Sequence, residues 1–560
     1  MNFDLPPTGT DPSPAFVNAI ACQDWLVTVP LANAVQAQSM FLRQLNLLHR
    51  FALPASERFA ILDTLRGPVS DVQGDAVKKF ASKPLPFAPH EQAALDSTLN
   101  VWHMLALGYL RCFESLCAGD SGVITTAVLQ SKRTLLAGDQ ELAAKIAVLA
   151  QRTLSVFADW QVDLCRGEQL PDPTYWKKLH QIFSAAETIG IAARAVNDPV
   201  RHGNAPTSAL AAYGECNLLS TANPYELPAR HLAWVARWAR RWGAKLALLK
   251  MPPEDIRNRA VPLWVDLESD RPASYAPRAS SSGRWLETTE LRKSLVARIA
   301  LLEQGRAPAQ LQLGDDVTQP AAGQLLERIL QRWCKGGVPR RHERRSATGT
   351  CNFIAGFEAV HYHLSGRQMF HAPSRDDTTL RREREQFETF GDHSHKAGST
   401  GGEEGASNLE HWEIMDDWRL LDESATGLRI SRPLKEGARI GAGQLIAVKT
   451  QDSQHFTLGN VRWALREGDA SLAAGIQLFP GQPRPVAIRT VEADGRGTWR
   501  PGFLLPEAAD LKEPPSVVVP VGTFRIERSI EVMVDEKLRV LKLSRVLDRG
   551  VEFERCNFHD

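Results

Sequence analysis

Apolar residues recur at steps of three and four through the first half of the chain. Leu95, Leu99, Trp102, Leu105, Tyr109, Phe113 and Leu116 trace one face of a helix. Leu142, Ile146, Leu149, Thr153, Phe157 and Trp160 repeat the pattern behind Asp139, whose carboxylate suits an N-cap. A third helix is expected from Asp172 as cap and Pro173 in the first turn, through Trp176, Leu179, Phe183 and Ala186, to a stop at Gly190. Each helix has one stripe to bury, which predicts a helical bundle or array over 1–252; no fixed repeat period recurs. In "HLAWVARWARRWG", Trp234, Trp238 and Trp242 alternate with Arg237, Arg240 and Arg241. Such a stripe suits stacked nucleobases, but it equally describes a buried tryptophan ridge with arginines on its wet flank, and that core reading is preferred.

The texture changes at 253–335, a mixed connecting region. "AVPLWVDLE" has strand character, a Ser/Pro-rich loop follows, and helices are expected around 289–304 and 321–334. The second helix runs into Gly336-Gly337, where the domain boundary is placed. Beyond it, "GLRISR", "QLIAVKT", "NVRWAL" and "GIQLF" are short apolar runs bounded by turn residues, the pattern of closely spaced antiparallel strands. This β region spans 336–482 and is interrupted at 366–410 by a polar, glycine-rich stretch read as a mobile insertion. A further small β-rich subdomain, a sheet or barrel, is expected over 483–560, and no chemistry is assigned to it. The fold class is thus α+β and multidomain.

Composition narrows the function. With 66 basic and 65 acidic side chains the formal charge is +1, so nothing global points to nucleic acid or an anionic membrane, and any anion recognition must be local. Eight scattered cysteines without a C-x-x-C fit reduced thiols better than a disulfide framework or zinc site. The N-terminus lacks a signal-peptide pattern, and the most apolar stretch, "LNVWHMLALGYLRCF", is interrupted by His103 and Arg111 and too short for a bilayer. A cytoplasmic location is expected.

Local basic charge is found in "GGVPRRHERRSATGT", where Arg340, Arg341, Arg344 and Arg345 fall in a loop after the glycine pair. Guanidinium groups offer planar forks to phosphate oxygens and flat faces to bases. Two of them separated by three residues on a pliable loop can close on a compact anion bearing phosphates and rings; alone, the run is more simply a solvated linker. A second motif changes that balance: "DDWRLLDESATGLRIS" holds Asp422, Ser424 and Gly427 as D-x-S-x-x-G between two strands. The carboxylate can accept paired donors from a guanine edge and the hydroxyl can reach a phosphate or ring nitrogen. Gly427 permits positive φ or a close backbone approach.

R-x-x-x-R before one strand and D-x-S-x-x-G between two others, followed by "LGNVRWAL" and "AAGIQLF", resemble the PilZ domain family over about 336–365 and 411–480. The resemblance implies a six-stranded β-barrel that binds cyclic di-GMP, with the arginines on phosphates and guanine and Asp422 and Ser424 on the other side. Both Arg340/Arg344 and Arg341/Arg345 satisfy the spacing; the second pair, assisted by Arg340, is preferred. Alternation along the strand is expected to aim Glu423 away from Asp422 and Ser424.

Metal chemistry is set aside. His361 and His363, taken as two apart on a strand, His371, and His393 and His395 beside Asp392 invite it, but no H-E-x-x-H or cysteine pair completes a set. Ser424 has no evident relay for nucleophilic work. The reading is a non-enzymatic receptor without cofactor or metal that relays ligand binding through its helical domain to a protein partner, with motility, pili or surface attachment as the associated role. Its rivals are a PilZ-shaped scaffold without ligand, a metal-dependent enzyme using the insertion, and, more distantly, a nucleic-acid binder.

Overall fold

A computed structural model of the chain describes residues 3, 5–10, 13–118, 123–254, 259–338, 342–373, 415–468, 470–491, 497–535 and 537–559. The chain divides into two compact units, residues 1–83 with 87–339, and 84–86 with 340–560.

The first unit is built on long helices whose ends follow the local chemistry. Asp139 caps the helix Gln140–Arg166 by accepting from the Leu142 amide at 2.9 Å, and Asp172 caps Pro173–Thr188 through the Tyr175 amide at 2.7 Å. Their apolar stripes meet those of Pro89–Ala118 and Ala209–Thr221 in one core that includes Leu105, Tyr109, Phe113, Ile146, Phe157 and Phe183, with Phe183 stacked on Tyr213 at 4.0 Å. The tryptophan ridge of Ala229–Trp242 is core: Trp234, Trp238 and Trp242 are all buried. Their flanking arginines are occupied within the unit, Arg237 on Asp316 at 2.6 Å, Arg240 on Asp159 at 2.9 Å and Arg241 on the Gln312 carbonyl at 2.8 Å. A small sheet of Ala247–Leu249, Gly283–Glu287 and Leu263–Asp266 contains the strand expected in "AVPLWVDLE".

Charge is also buried in this unit. Arg66 grips Asp198 with both terminal nitrogens, one at 2.9 Å, and the two side chains are 3% and 0% exposed. Gln151 adds a bond to the same carboxylate at 3.0 Å. A different acid is left without such help. Glu168, just past the Gln140–Arg166 helix, has a buried Oε2 with no hydrogen-bond partner among the described residues, and burial pushes its pKa from 4.5 up to about 8. A folded pKa above the unfolded one means that stability falls as pH climbs from about 4.5 to 8. Glu168→Gln is therefore expected to match the wild-type melting temperature at pH 5 and exceed it by a few degrees at pH 8.5, read by scanning calorimetry.

The second unit contains two barrels. In the first, β1 (Arg345–Ser346) and β2 (Thr350–Ala355) pair successively along β3 (Asp416–Ser424). The ring continues from β2 through β5 (Leu445–Thr450), β6 (Thr457–Glu467) and β7 (Ser471–Leu478) to β4 (Gly427–Pro433), which pairs back with β3. Six antiparallel strands thus close, with β1 as an added stub. Trp418, Ile430, Ile446, Val461 and Leu472 fill the interior. The closing-strand glycine has a steric reason: a Cβ on Gly475 would stand 2.2 Å from the Trp463 indole nitrogen, so only glycine leaves room for that ring.

The second barrel, closed in the order β8 (Arg484–Thr490), β9 (Arg500–Leu505), β10 (Ser516–Pro520), β13 (Phe553–His559), β12 (Lys537–Arg549) and β11 (Ser529–Val534), makes the expected β-rich subdomain a full barrel. The two barrels share apolar packing: Ile354, Val360, Leu445, Leu458 and Phe479 of the first cluster with Phe503, Leu505, Val518 and Phe553 of the second. Glu552 reinforces the junction by accepting from the amides of Leu445 at 2.9 Å and Phe357 at 3.2 Å.

One sequence expectation fails here. "HYH" lies on the helix Phe357–Leu364, not on a strand. Gly356, at φ 99°, turns the chain out of β2, and Phe357 and Val360, one helical turn apart, then supply the face that joins the shared cluster. His361 and His363 consequently point to different sides, His361 buried and His363 half-exposed. The insertion expected at 366–410 lies outside the described residues from 374 to 414, as do His393, His395 and Asp392.

Candidate ligand-binding site

Strand register brings the two motifs to one end of the first barrel. β3 rises to Ser424, turns through Ala425 and Thr426, and descends from Gly427 as β4. β1 pairs with the top of β3, Arg345 opposite Glu423 and Ser346 opposite Asp422, so the arginine segment arrives beside the D-x-S-x-x-G turn. The tightness of the turn explains Gly427: a Cβ there would lie 2.8 Å from the Ile476 carbonyl oxygen on β7. Close approach, one of the two roles open to it, is the one the geometry uses.

A bulge between Leu420 and Asp422 resets the alternation of β3. Below it Trp418 and Leu420 face the interior; above it Asp422 stands opposite Arg429, whose neighbours Leu428 and Ile430 are buried. Asp422 and Ser424 therefore face outward, half-exposed, and Glu423, opposite Leu428, faces the other way. The same parity divides the arginines. Arg345 shares its face with Glu423, whereas Arg344 turns to Asp422, its Nη1 donating to Oδ1 at 2.7 Å. Arg340 and Arg341 lie outside the described residues. The Ser424 hydroxyl donates to the Gly427 carbonyl at 3.2 Å.

The outward row continues laterally. Asp422 pairs with Arg429, Arg429 with Gly475, and Gly475 with Trp463, so carboxylate, guanidinium and indole line up across β3, β4, β7 and β6. Arg429 is held by Glu467 at 2.7 Å. Sequence reasoning passed over Arg429 and treated Trp463 only as a closing-strand landmark. For Arg429 the available signal was alternation, since in "GLRIS" it stands between Leu428 and Ile430 on the face that should meet water. For Trp463 alternation misleads, because it sets the ring on the face of Val461 and the bulge between the two residues turns it outward. Together the row presents hydrogen-bond acceptors, cationic forks and an aromatic plane, the means to hold a phosphate-bearing ring system.

Three family models match the chain in succession: the N-terminal domain of the cyclic-di-GMP receptor FimW at 20–254, its middle PilZ domain at 263–417, and its C-terminal β-barrel domain at 486–560. The chain belongs to the FimW family of cyclic-di-GMP receptors. The FimW PilZ match contains the arginine segment and ends short of Asp422, so the placement of the second motif rests on the barrel geometry. No curated protein matches the chain. Among the described residues no group of three or more His, Cys, Asp or Glu side chains is arranged to hold a metal, all eight cysteines are buried and unpaired, and no helix is long and apolar enough to cross a membrane.

Proposed function

We propose that this chain is a non-enzymatic cytoplasmic receptor that binds cyclic di-GMP on the outer face of β3 and β4 and passes the bound state through its helical unit to a protein partner controlling bacterial motility, pili or attachment. The observation that carries the reading is the Arg344–Asp422 contact, which joins the two motifs across 78 residues of chain. Without ligand the guanidinium and carboxylate satisfy each other. A cyclic dinucleotide offers phosphates to the first and a guanine donor edge to the second, replacing one ion pair with two charge-assisted contacts. Ser424 supplies a hydroxyl, and Gly427 keeps the turn close to β7.

In this scheme Arg340 and Arg344 form the gripping pair, four apart on the segment, in place of Arg341 and Arg345; the register of β1 supports the exchange, because Arg344 already faces the outward row. Gly336 and Gly337, at φ 83° and 86°, precede that segment with conformations other residues adopt at a cost. Ordering the arginines on a ligand fixes the chain just after this pair, and differential affinity for the fixed form is the free energy available for signalling.

Calorimetric titration of cyclic di-GMP into the full chain tests the proposal. Saturable binding at low-micromolar or tighter affinity, unmatched by GTP and accompanied by a rise in melting temperature, is the expected result. Neither heat nor thermal shift would leave a PilZ-shaped scaffold whose Arg344–Asp422 pair is only structural.

A further inference from the structure

At the end of the first barrel where the arginine segment arrives, three other stretches converge: the Ala425–Thr426 turn, the β5–β6 loop at 451–456, and the chain leaving β7 at 479–482. Between them lies a cavity of about 320 Å³ lined by Ala425, His455, Phe456, Thr457, Phe479 and Gln482 among others. We propose that this cavity receives a purine base of the cyclic dinucleotide held by the neighbouring motifs, an inference that rests on the function proposed above.

The lining has the chemistry of a nucleobase slot. Phe456 and Phe479 give aromatic surface, Pro480 and Leu478 give apolar walls, and Ser453, Thr457, His455 and Gln482 give hydrogen-bonding groups. No carboxylate lines it, and the Lys449 ammonium lies 6.0 Å from the Phe456 ring, so the surroundings suit an anionic ligand. Ligand pockets commonly run from about 300 to 1,000 Å³. At the low end of that range the cavity suits one base rather than a whole cyclic dinucleotide, and the remainder must lie outside, toward the motifs. Ala425 is three residues from Asp422, about 10 Å along an extended strand, which keeps both within reach of neighbouring groups of one ligand.

The slot is also rigid. Phe479 is wedged against Phe553 at 5.6 Å, its amide bonds to the Leu458 carbonyl at 2.8 Å, and the Arg555 guanidinium covers it at 5.3 Å. Arg555 is itself fixed by Ser516, Asp548 and Glu513. On the other wall, the Ser453 hydroxyl donates to the His455 carbonyl at 2.8 Å and accepts from its amide at 3.2 Å, which shapes the loop carrying Phe456. The second barrel, through Leu511 and Arg555, thus contributes to a pocket that the first barrel alone would leave incomplete.

The experiment uses the full chain and a cyclic di-GMP analogue bearing a photoreactive 8-azido group on guanine, together with titration of unmodified ligand into Phe456→Ala and Gln482→Ala. Label in peptides covering 453–457 or 478–482, and affinity lowered about tenfold by Phe456→Ala as expected for loss of a stacked base, support the slot. Gln482 is exposed, so its variant tests the slot without disturbing the core; a loss of a few fold is expected. Label confined to 342–346 and 416–433, with both variants titrating like wild type, overturns the slot while leaving the motif site standing. No heat and no label with the wild-type chain overturns the receptor reading and the slot together.

Discussion

Arg344→Ala is expected to weaken cyclic di-GMP binding about 100-fold, while Arg345→Ala changes it by less than about threefold. A hydrogen bond to a charged group contributes roughly 1.5–3 kcal/mol, and Arg344 is positioned to make more than one to a phosphate. Arg345 lies on the face of Glu423 and contributes only through longer-range, salt-screened attraction. Asp422→Ala is expected to cost less than Arg344→Ala, about tenfold to 30-fold, although it removes a guanine contact of similar strength. The reason is the number of contacts: Arg344 can make more than one bond to a phosphate, whereas either variant equally removes the Arg344–Asp422 bond that the ligand must break. The double variant should accordingly bind more weakly than the two single losses combined predict, because each single variant already gains from the lost Arg344–Asp422 competition and the double variant gains from it only once, a non-additivity expected of residues in contact. Calorimetry on the four proteins decides the matter, and equal losses for Arg344→Ala and Arg345→Ala would refute the assignment of faces. Repeating the series at two salt concentrations adds a check, since Arg344→Ala should flatten the salt dependence.

The largest stability effect is expected at Asp198. Removing one partner of a buried ion pair strands the other, at a cost of about 3–5 kcal/mol. Asp198→Ala would leave Arg66 charged and buried, and would also deprive Gln151 of an acceptor. Tryptophan fluorescence, reporting mainly on the helical unit that holds most of the tryptophans, should show its denaturant midpoint fall sharply. A replacement that changed the midpoint little would mean that water reaches the site. The pair also has a pH signature. The hydrogen bonds and charge of Arg66 outweigh burial and hold the Asp198 carboxyl well below its usual 3.8. Its folded pKa being depressed, its contribution is complete above pH 3.8 and is lost as the pH falls below that value toward the folded pKa. The wild-type advantage over Asp198→Asn should persist at pH 5 and shrink only in stronger acid.

Much of this architecture is legible in the residues because local rules and tertiary packing agree. Asp139 and Asp172 cap the helices they precede, the three tryptophans four apart are core, and each quoted run of the first barrel is a strand. Disagreement begins where long-range context decides. "FEAVHYHL" is too short and too mixed for its period to separate helix from strand, and the choice is made by Gly356 and by the neighbouring barrel that accepts Phe357. Likewise the charges within "RPVAIRT" and "FERCNFH" blur the alternation of β8 and β13, which their pairing partners across the barrel define. At the candidate site, residue types were readable and faces were not. Which arginine turns toward Asp422 depends on the bulge after Leu420, and a one-residue shift of parity leaves no trace in composition.

The cluster joining the two barrels also constrains how such a chain can be cut or recombined. Ending it at Pro480 would leave Phe479, Leu458 and Phe357 facing water, and beginning it there would strip cover from Phe503 and Phe553. Exposed apolar patches of that kind favour aggregation. The two barrels should therefore be exchanged between relatives as a pair, with substitutions on one side of the seam selecting partners on the other. An isolated PilZ segment from this chain that precipitates would report the missing neighbour, not a failure to recognise its ligand.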